Sequence, residues 1–75
     1  MRFKINVFDS NVRYGPTVVD SLDAFFLLYP EDFMLSTQAG VRIILSNLQV
    51  GDQVGLEYNH YIKVRVMRIK DLTYH

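Results

Sequence analysis

The chain has no cysteine and no net charge, and each absence excludes a class of protein. Without thiols among its 75 residues, it forms no disulfide and no thiolate metal site. Eight basic and eight acidic residues cancel, so no global charge points to nucleic acid or to a membrane surface. No apolar run approaches the ~20 residues of a membrane span, and the first residues alternate like a strand, so we expect a cytoplasmic protein.

Residues suited to catalysis, metal binding or cofactor binding are also scarce. His60 and His75 are the only histidines, and neither has a second ligand at metal-binding spacing. The sequence contains no Gly-x-Ser-x-Gly elbow and no glycine-rich phosphate loop. Asp20 and Asp23 are explained as charges near the start of a helix. The sequence therefore predicts a protein that is not an enzyme and that uses no metal or cofactor.

The segment from Leu48 to Ile69 predicts the element on which the rest of the chain packs. Two runs rich in valine, isoleucine and tyrosine flank Asn59 and His60, and both alternate between apolar and polar positions. This alternation is typical of a β-hairpin with one buried and one solvated face. The predicted buried face holds Val54, Leu56, Tyr58, Ile62, Val64 and Val66.

The residues before this hairpin predict one strand and one helix. Arg2 to Phe8 alternates as a half-buried strand does. Pro16 suits the first turn of a helix, and Thr17 and Asp20 have the spacing of a capping box, so we predict that a helix begins here. Apolar residues then recur at helical spacing and form the expected core stripe, which consists of Val18, Val19, Leu22, Phe25, Phe26 and Tyr29.

The middle of the chain has two interpretations. A helix capped by Ser36 or Thr37 would place apolar residues on one face from Val41 to Leu48, although Gly40 inside it would cost ~1 kcal/mol relative to alanine. Alternatively, two strands could meet at a link that contains Gly40, since the residues after it are rich in β-branched side chains. We favour the helix because its apolar spacing continues to Leu48.

These elements predict a single α+β domain that spans residues 1–75. Its order is strand, helix, helix and hairpin, with a three-stranded antiparallel sheet and both helices on one face. In the alternative, one helix covers a five-stranded, mostly antiparallel β domain. A chain of this length buries only about 60% of the surface that its unfolded form exposes, so we expect it to depend on tight packing or on oligomerisation.

The second half of the predicted first helix is apolar on every face, which is more than one sheet can cover. We interpret the surplus as a contact surface for another protein or for a second copy of the chain. Alternatively, the second helix or the segment around Phe33 could cover it. The first interpretation predicts a protein-binding module, an adaptor or small inhibitor of a larger macromolecule that forms a homodimer. The predicted interface residues are Leu27, Leu28, Phe33 and Met34.

The solvated face of the predicted sheet offers a second surface. If the first strand lies beside the hairpin, cations and aromatic rings share this face, namely Arg2, Lys4, Phe8, Tyr61, Lys63 and Arg65. Such a face can hold single-stranded nucleic acid, because cations contact phosphates and rings stack on bases. The simpler interpretation is an ordinary solvated sheet face, and the neutral chain favours it. A nucleic-acid-binding module is therefore the alternative function.

Overall fold

The computed structural model describes residues 1–9 and 13–71, and the architecture is α+β as predicted. The strands of the described chain form one antiparallel sheet in the order β2-β1-β4-β3. The elements are β1 Arg2–Asp9, β2 Arg13–Val19, α1 Leu22–Leu28, α2 Gln38–Ser46, β3 Gln53–Glu57 and β4 Ile62–Ile69.

The sheet has four strands rather than the predicted three, because the start of the predicted first helix is a strand instead. The run Thr17–Val19 belongs to β2 and pairs with Phe3, Lys4 and Ile5 of β1. β-branched side chains favour the extended conformation, and pairing with β1 satisfies the backbone of this run. The capping-box spacing of Thr17 and Asp20 is therefore coincidental.

Helix α1 begins at Leu22, after Ser21, whose Oγ accepts a hydrogen bond from the Ala24 N–H at 3.0 Å. Two residues of the predicted core stripe are buried here. Phe25 lies within α1, and Tyr29 is the residue that ends it. Val18 was expected in the same stripe but lies half exposed, because in a strand it points away from buried Val19.

The middle of the chain contains a helix, so the two-strand alternative is wrong. Thr37 is the N-cap of α2, and its Oγ1 accepts a hydrogen bond from the Gly40 N–H at 3.1 Å. Gly40 therefore lies in the first turn, where the cap fixes its backbone, rather than in the helix interior. Val41 and Leu45 are fully buried, as their spacing predicts.

The predicted hairpin is present, with a longer connection than expected. β3 and β4 pair from Gln53 opposite Met67 to Glu57 opposite Lys63, and four residues from 58 to 61 join them. The Asn59 Oδ1 accepts hydrogen bonds from the backbone N–H groups of Tyr61 and of Ile62, the first residue of β4, each at 2.8 Å. An Asx-type turn thus replaces the two-residue link.

Both helices cover the same face of the sheet. The core lies between this face and the helices. The buried cluster combines strand residues with helix and loop residues: Phe3, Ile5, Val19, Phe25, Tyr29, Phe33, Val41, Leu45, Val64 and Val66. The side chains at the alternate strand positions lie on the opposite face of the sheet, which the helices do not cover. We call it the open face. Neither helix in the described ranges is long and apolar enough to cross a membrane.

Candidate interaction surfaces

An aromatic cluster beneath the end of β3 anchors the segment that follows α1. The Tyr58 ring centroid lies 5.0 Å from that of Tyr29 and 4.9 Å from that of Phe33. The Tyr58 hydroxyl also accepts a hydrogen bond from the Glu31 N–H at 3.1 Å. Burial, with a smaller contribution from Tyr58, raises the pKa of Tyr29 above its ordinary value, so this phenol ionises even less readily than a tyrosine in water.

Apolar side chains beside these buried rings are exposed. Leu35 is 88% and Leu27 82% exposed, while Leu28 and Met34 are about half exposed. Phe33, which the sequence placed in the contact surface, is only 5% exposed and belongs to the core. Leu35 has no place in the sequence prediction, although it is the most exposed of the group. We call Leu27, Leu28, Met34 and Leu35 the apolar rim.

Strand β3 forms one edge of the sheet, and its backbone groups alternate in direction. The Tyr58 N–H donates to the Ile62 carbonyl at 2.9 Å, which shows that even-numbered residues here bond to β4. Because antiparallel strands alternate their bonding direction, odd-numbered residues turn their N–H and C=O groups away from the sheet. The residues with outward groups are Gln53, Gly55 and Glu57, and we call this row the β3 edge.

The β3 edge is only partly occupied. The Glu57 carbonyl accepts a hydrogen bond from the Met34 N–H at 3.1 Å, so the loop after α1 caps one end. Across the described ranges, no backbone hydrogen bond reaches the outward groups of Gln53 or Gly55. A shallow groove of about 210 Å³ lies beside Gly55, with Leu35 on its wall. Open backbone groups and part of the apolar rim therefore share one side of the molecule.

The opposite edge of the sheet, β2, is built differently. Ile5 lies opposite Thr17 but Val7 lies opposite Tyr14, so two residues of β2 oppose the single residue between them. This irregularity has the form of a β-bulge, and it contains Pro16, which has no N–H to donate. Bulges and proline on an edge strand both discourage pairing with another chain.

The open face brings together the cations that the sequence predicted there. Arg65 lies between Asn6 and Gly55 across the strands, and Lys63 lies between Phe8 and Glu57. Arg2 and Lys4 occupy the same face of β1. Tyr61 differs from the prediction, since it lies in the β3–β4 connection rather than in a strand, and it is exposed.

Ion pairs neutralise part of this positive charge. The Arg2 Nε lies 3.0 Å from an Asp20 carboxylate oxygen, and the Lys63 Nζ lies 3.7 Å from Glu57. Among the residues described, Lys4 and Arg65 form no ion pair with a carboxylate. These two cations therefore give the open face its excess positive charge.

A depression in the open face lies above Gly55. The Arg65 guanidinium sits 5.6 Å from the centre of the Phe8 ring, which is within cation–π range. A side chain at position 55 would meet no atom within 4 Å, so the missing Cβ leaves open space there. The resulting cavity measures about 360 Å³ and is lined by Phe8, Gly55, Leu56, Glu57, Lys63, Val64 and Arg65.

No metal-binding cluster of three or more histidine, cysteine or acidic side chains occurs within residues 1–9 and 13–71. Comparison with protein families, curated proteins and solved structures finds no match. The apolar rim, the β3 edge and the open face are therefore the candidate interaction surfaces of this chain.

Proposed function

We propose that this chain is a non-enzymatic protein-binding module, an adaptor or small inhibitor, that associates with itself as a homodimer. The exposed apolar rim is the observation that carries the proposal. The core is complete without these side chains, with Phe25 and Leu45 fully buried, so the rim is surplus to what the fold itself buries. Leu27 and Leu28 are neighbours in the chain, as are Met34 and Leu35, and groups of exposed apolar side chains commonly mark a contact surface.

The size of the rim is enough to matter for association. Burying a leucine side chain fully contributes about 1.5–3 kcal/mol relative to leaving it in water. Leu27 and Leu35 are almost fully exposed and therefore retain most of that free energy for a partner. Part of it is offset by the entropy lost on association, so we expect a moderate affinity.

Substitution of Leu35 tests this proposal. Leu35→Lys removes an exposed apolar contact without touching the core, and we expect it to weaken self-association about tenfold or more. Ile43→Lys is the matched control, because Ile43 is 63% exposed on α2 and lies outside the rim. The measurement is molecular mass by light scattering across a concentration series, with circular dichroism to verify folding.

Two results would count against the proposal. A wild-type protein that stays monomeric at every concentration would remove self-association. Equal weakening by Leu35→Lys and Ile43→Lys would show that added charge, rather than loss of the rim, governs the effect.

The open face supports a second candidate, binding of single-stranded nucleic acid. Lys4 and Arg65 carry charge that no described carboxylate neutralises, and Phe8 and Tyr61 supply rings on or beside the same face. Binding of this kind weakens with added salt, because each phosphate contact releases counterions. The neutral composition of the chain makes this the weaker candidate.

Removing one charge from each side of the sheet tests this candidate. Arg65→Gln should weaken binding of a fluorescent single-stranded oligonucleotide and reduce the salt slope by about 0.7. Arg42→Gln makes the same chemical change on α2, which covers the other face, and should leave affinity unchanged. No detectable binding at low salt, or an equal loss in both variants, would eliminate the candidate.

A capture experiment separates the two classes directly. Tagged wild-type protein and the Leu35→Lys and Arg65→Gln variants are incubated with extract from the native host, with and without nuclease. Protein partners that survive nuclease and are lost only with Leu35→Lys support the first proposal. Recovery that depends on nucleic acid and on Arg65 supports the second.

A further inference from the structure

The β3 edge lies beside the apolar rim, and together they define how two copies of the chain can meet. We infer that β3 pairs with β3 of a second copy in antiparallel orientation, with the twofold axis passing at Val54. The two four-stranded sheets then form one continuous sheet of eight strands. This inference rests on the proposed self-association and adds to it the strand, the register and the contact atoms.

The register follows from which backbone groups are open. An axis at Val54 places Gln53 opposite Gly55 of the second copy, and Gly55 opposite the second copy's Gln53. Each of these pairs exchanges N–H and C=O groups, which gives a ladder of about four hydrogen bonds. Val54 lies opposite Val54 of the second copy as a non-hydrogen-bonded pair. The two valine side chains therefore touch on the covered side of the sheet.

Neighbouring registers conflict with bonds that already exist. An axis at Gly55 would set Gln53 of the second copy opposite Glu57, whose carbonyl already accepts the Met34 N–H. An axis at Gln53 would require the outward use of Gly51, whose N–H already donates to the Arg68 carbonyl at 2.8 Å. The axis at Val54 sets Glu57 opposite Gly51 of the second copy, where each residue keeps its existing bond, so the new ladder is confined to Gln53 and Gly55 and both hydrogen bonds stay intact.

The shape of the edge favours a second copy over a long extended peptide. A straight strand laid along Gln53 and Gly55 would continue into Met34, which occupies the position beside Glu57. The chain's own β3 avoids that collision, because its backbone turns at Gly51, where φ is +95°. At this turn the Gly51 N–H donates to the Arg68 carbonyl of the same chain, so the backbone of each copy leaves the edge before it reaches Met34 of the other.

The open face accommodates the same arrangement. Gln53 lies on this face, so Gln53 of the second copy projects beside Gly55, where a Cβ would meet nothing within 4 Å. No charged residue lies between Gln53 and Gly55, so the pairing sets no like charges opposite one another. The other edge of the sheet offers no equivalent row, because Pro16 interrupts it.

Cysteine cross-linking tests the register, since the wild-type chain has no cysteine of its own. In the inferred dimer the two Val54 Cα atoms lie about 4.5 Å apart, within the range that a disulfide spans. Val54→Cys should therefore form an intermolecular disulfide rapidly under mild oxidation. Gln53→Cys is the matched control, because its two Cα atoms would lie about 8 Å apart, beyond that range.

Removal of one outward N–H tests the hydrogen-bond ladder. Gly55→Pro deletes a donor that the β3–β4 ladder does not use, so the monomer keeps its fold. The dimer loses two hydrogen bonds by symmetry, and its dissociation constant should rise roughly tenfold to a hundredfold. Gly55→Ala keeps the donor and should stay within about threefold of wild type. Sedimentation velocity measures the association, and circular dichroism verifies the fold.

The outcomes separate this inference from the proposed function. A wild-type dimer that is weakened by Leu35→Lys but neither cross-links through Cys at position 54 nor responds to Gly55→Pro would overturn the inference and leave the proposed function standing. Cross-linking at position 53 as fast as at position 54 would overturn the register. A strictly monomeric wild type would overturn both this inference and the proposed self-association.

Discussion

The two faces of the sheet are built from the same strands, yet neighbouring residues on them have opposite roles. Val64 and Val66 are buried beneath the helices, while Lys63 and Arg65, which alternate with them along β4, reach solvent. Side chains on the covered face contribute to the free energy of unfolding, whereas those on the open face are solvated. The two faces should therefore differ in how much a substitution changes the stability of the monomer.

The largest effect is expected on the covered side, from Phe25→Ala. Phe25 is fully buried, and its ring contacts those of Phe26, Tyr29 and Phe33. Its loss leaves a cavity at the centre of this cluster, so the free energy of unfolding should fall by about 3–5 kcal/mol. Urea unfolding followed by circular dichroism measures it.

Leu27→Ala provides the control in the same helix. Leu27 is almost fully exposed, so this change should stay within about 0.5 kcal/mol of wild type in monomer stability. Equal losses for the two variants would mean that the covered and exposed sides of α1 do not differ as described.

A smaller effect is expected from Ser21→Ala, which weakens the attachment of the covering helix. The variant loses the hydrogen bond from the Ala24 N–H to the Ser21 Oγ, and the free energy of unfolding should fall by about 1 kcal/mol. Ser46→Ala is the matched control, because the Ser46 hydroxyl donates only to the Arg42 carbonyl within α2, and its loss should cost less than about 0.5 kcal/mol. A larger loss in the free energy of unfolding for Ser46→Ala than for Ser21→Ala would show that the Ser21 cap does not stabilise α1.

The smallest effect is expected on the open face, from Lys63→Gln. The ion pair with Glu57 is exposed and 3.7 Å long, so its removal should change the free energy of unfolding by about 0.5 kcal/mol or less. Thermal unfolding at low and high salt measures it. A loss above about 1 kcal/mol would contradict the division of roles between the two faces.

Local patterns predicted most of the fold but not the extent of the first helix. The hairpin and α2 follow from alternation and helical spacing, which depend only on nearby residues. Thr17, Val18 and Val19 fit both patterns, and what decides between them is the presence of β1 beside them. Because that partner is distant in the sequence, a local capping signal at Thr17 and Asp20 gave the wrong element.

The candidate surfaces were predicted in part. Leu27, Leu28 and Met34 are exposed as a contact surface requires, and the cations share a face because β1 lies beside β4. Phe33, which was predicted in the contact surface, is buried against the Tyr58 ring, and Leu35, for which the sequence predicted no role, is exposed instead. Sequence spacing in an irregular loop carries no signal for that choice.

The middle of the sheet is a seam between β1 and β4, whose paired residues are more than fifty positions apart in the chain. On either side of the seam, β1 pairs with β2 and β4 pairs with β3, each with its neighbour in sequence. Two-stranded units of this kind are marginal on their own, and closing the long loop between them costs entropy before the seam repays it. Folding should therefore be limited by the meeting of the two halves, and breaking the seam should unfold both at once.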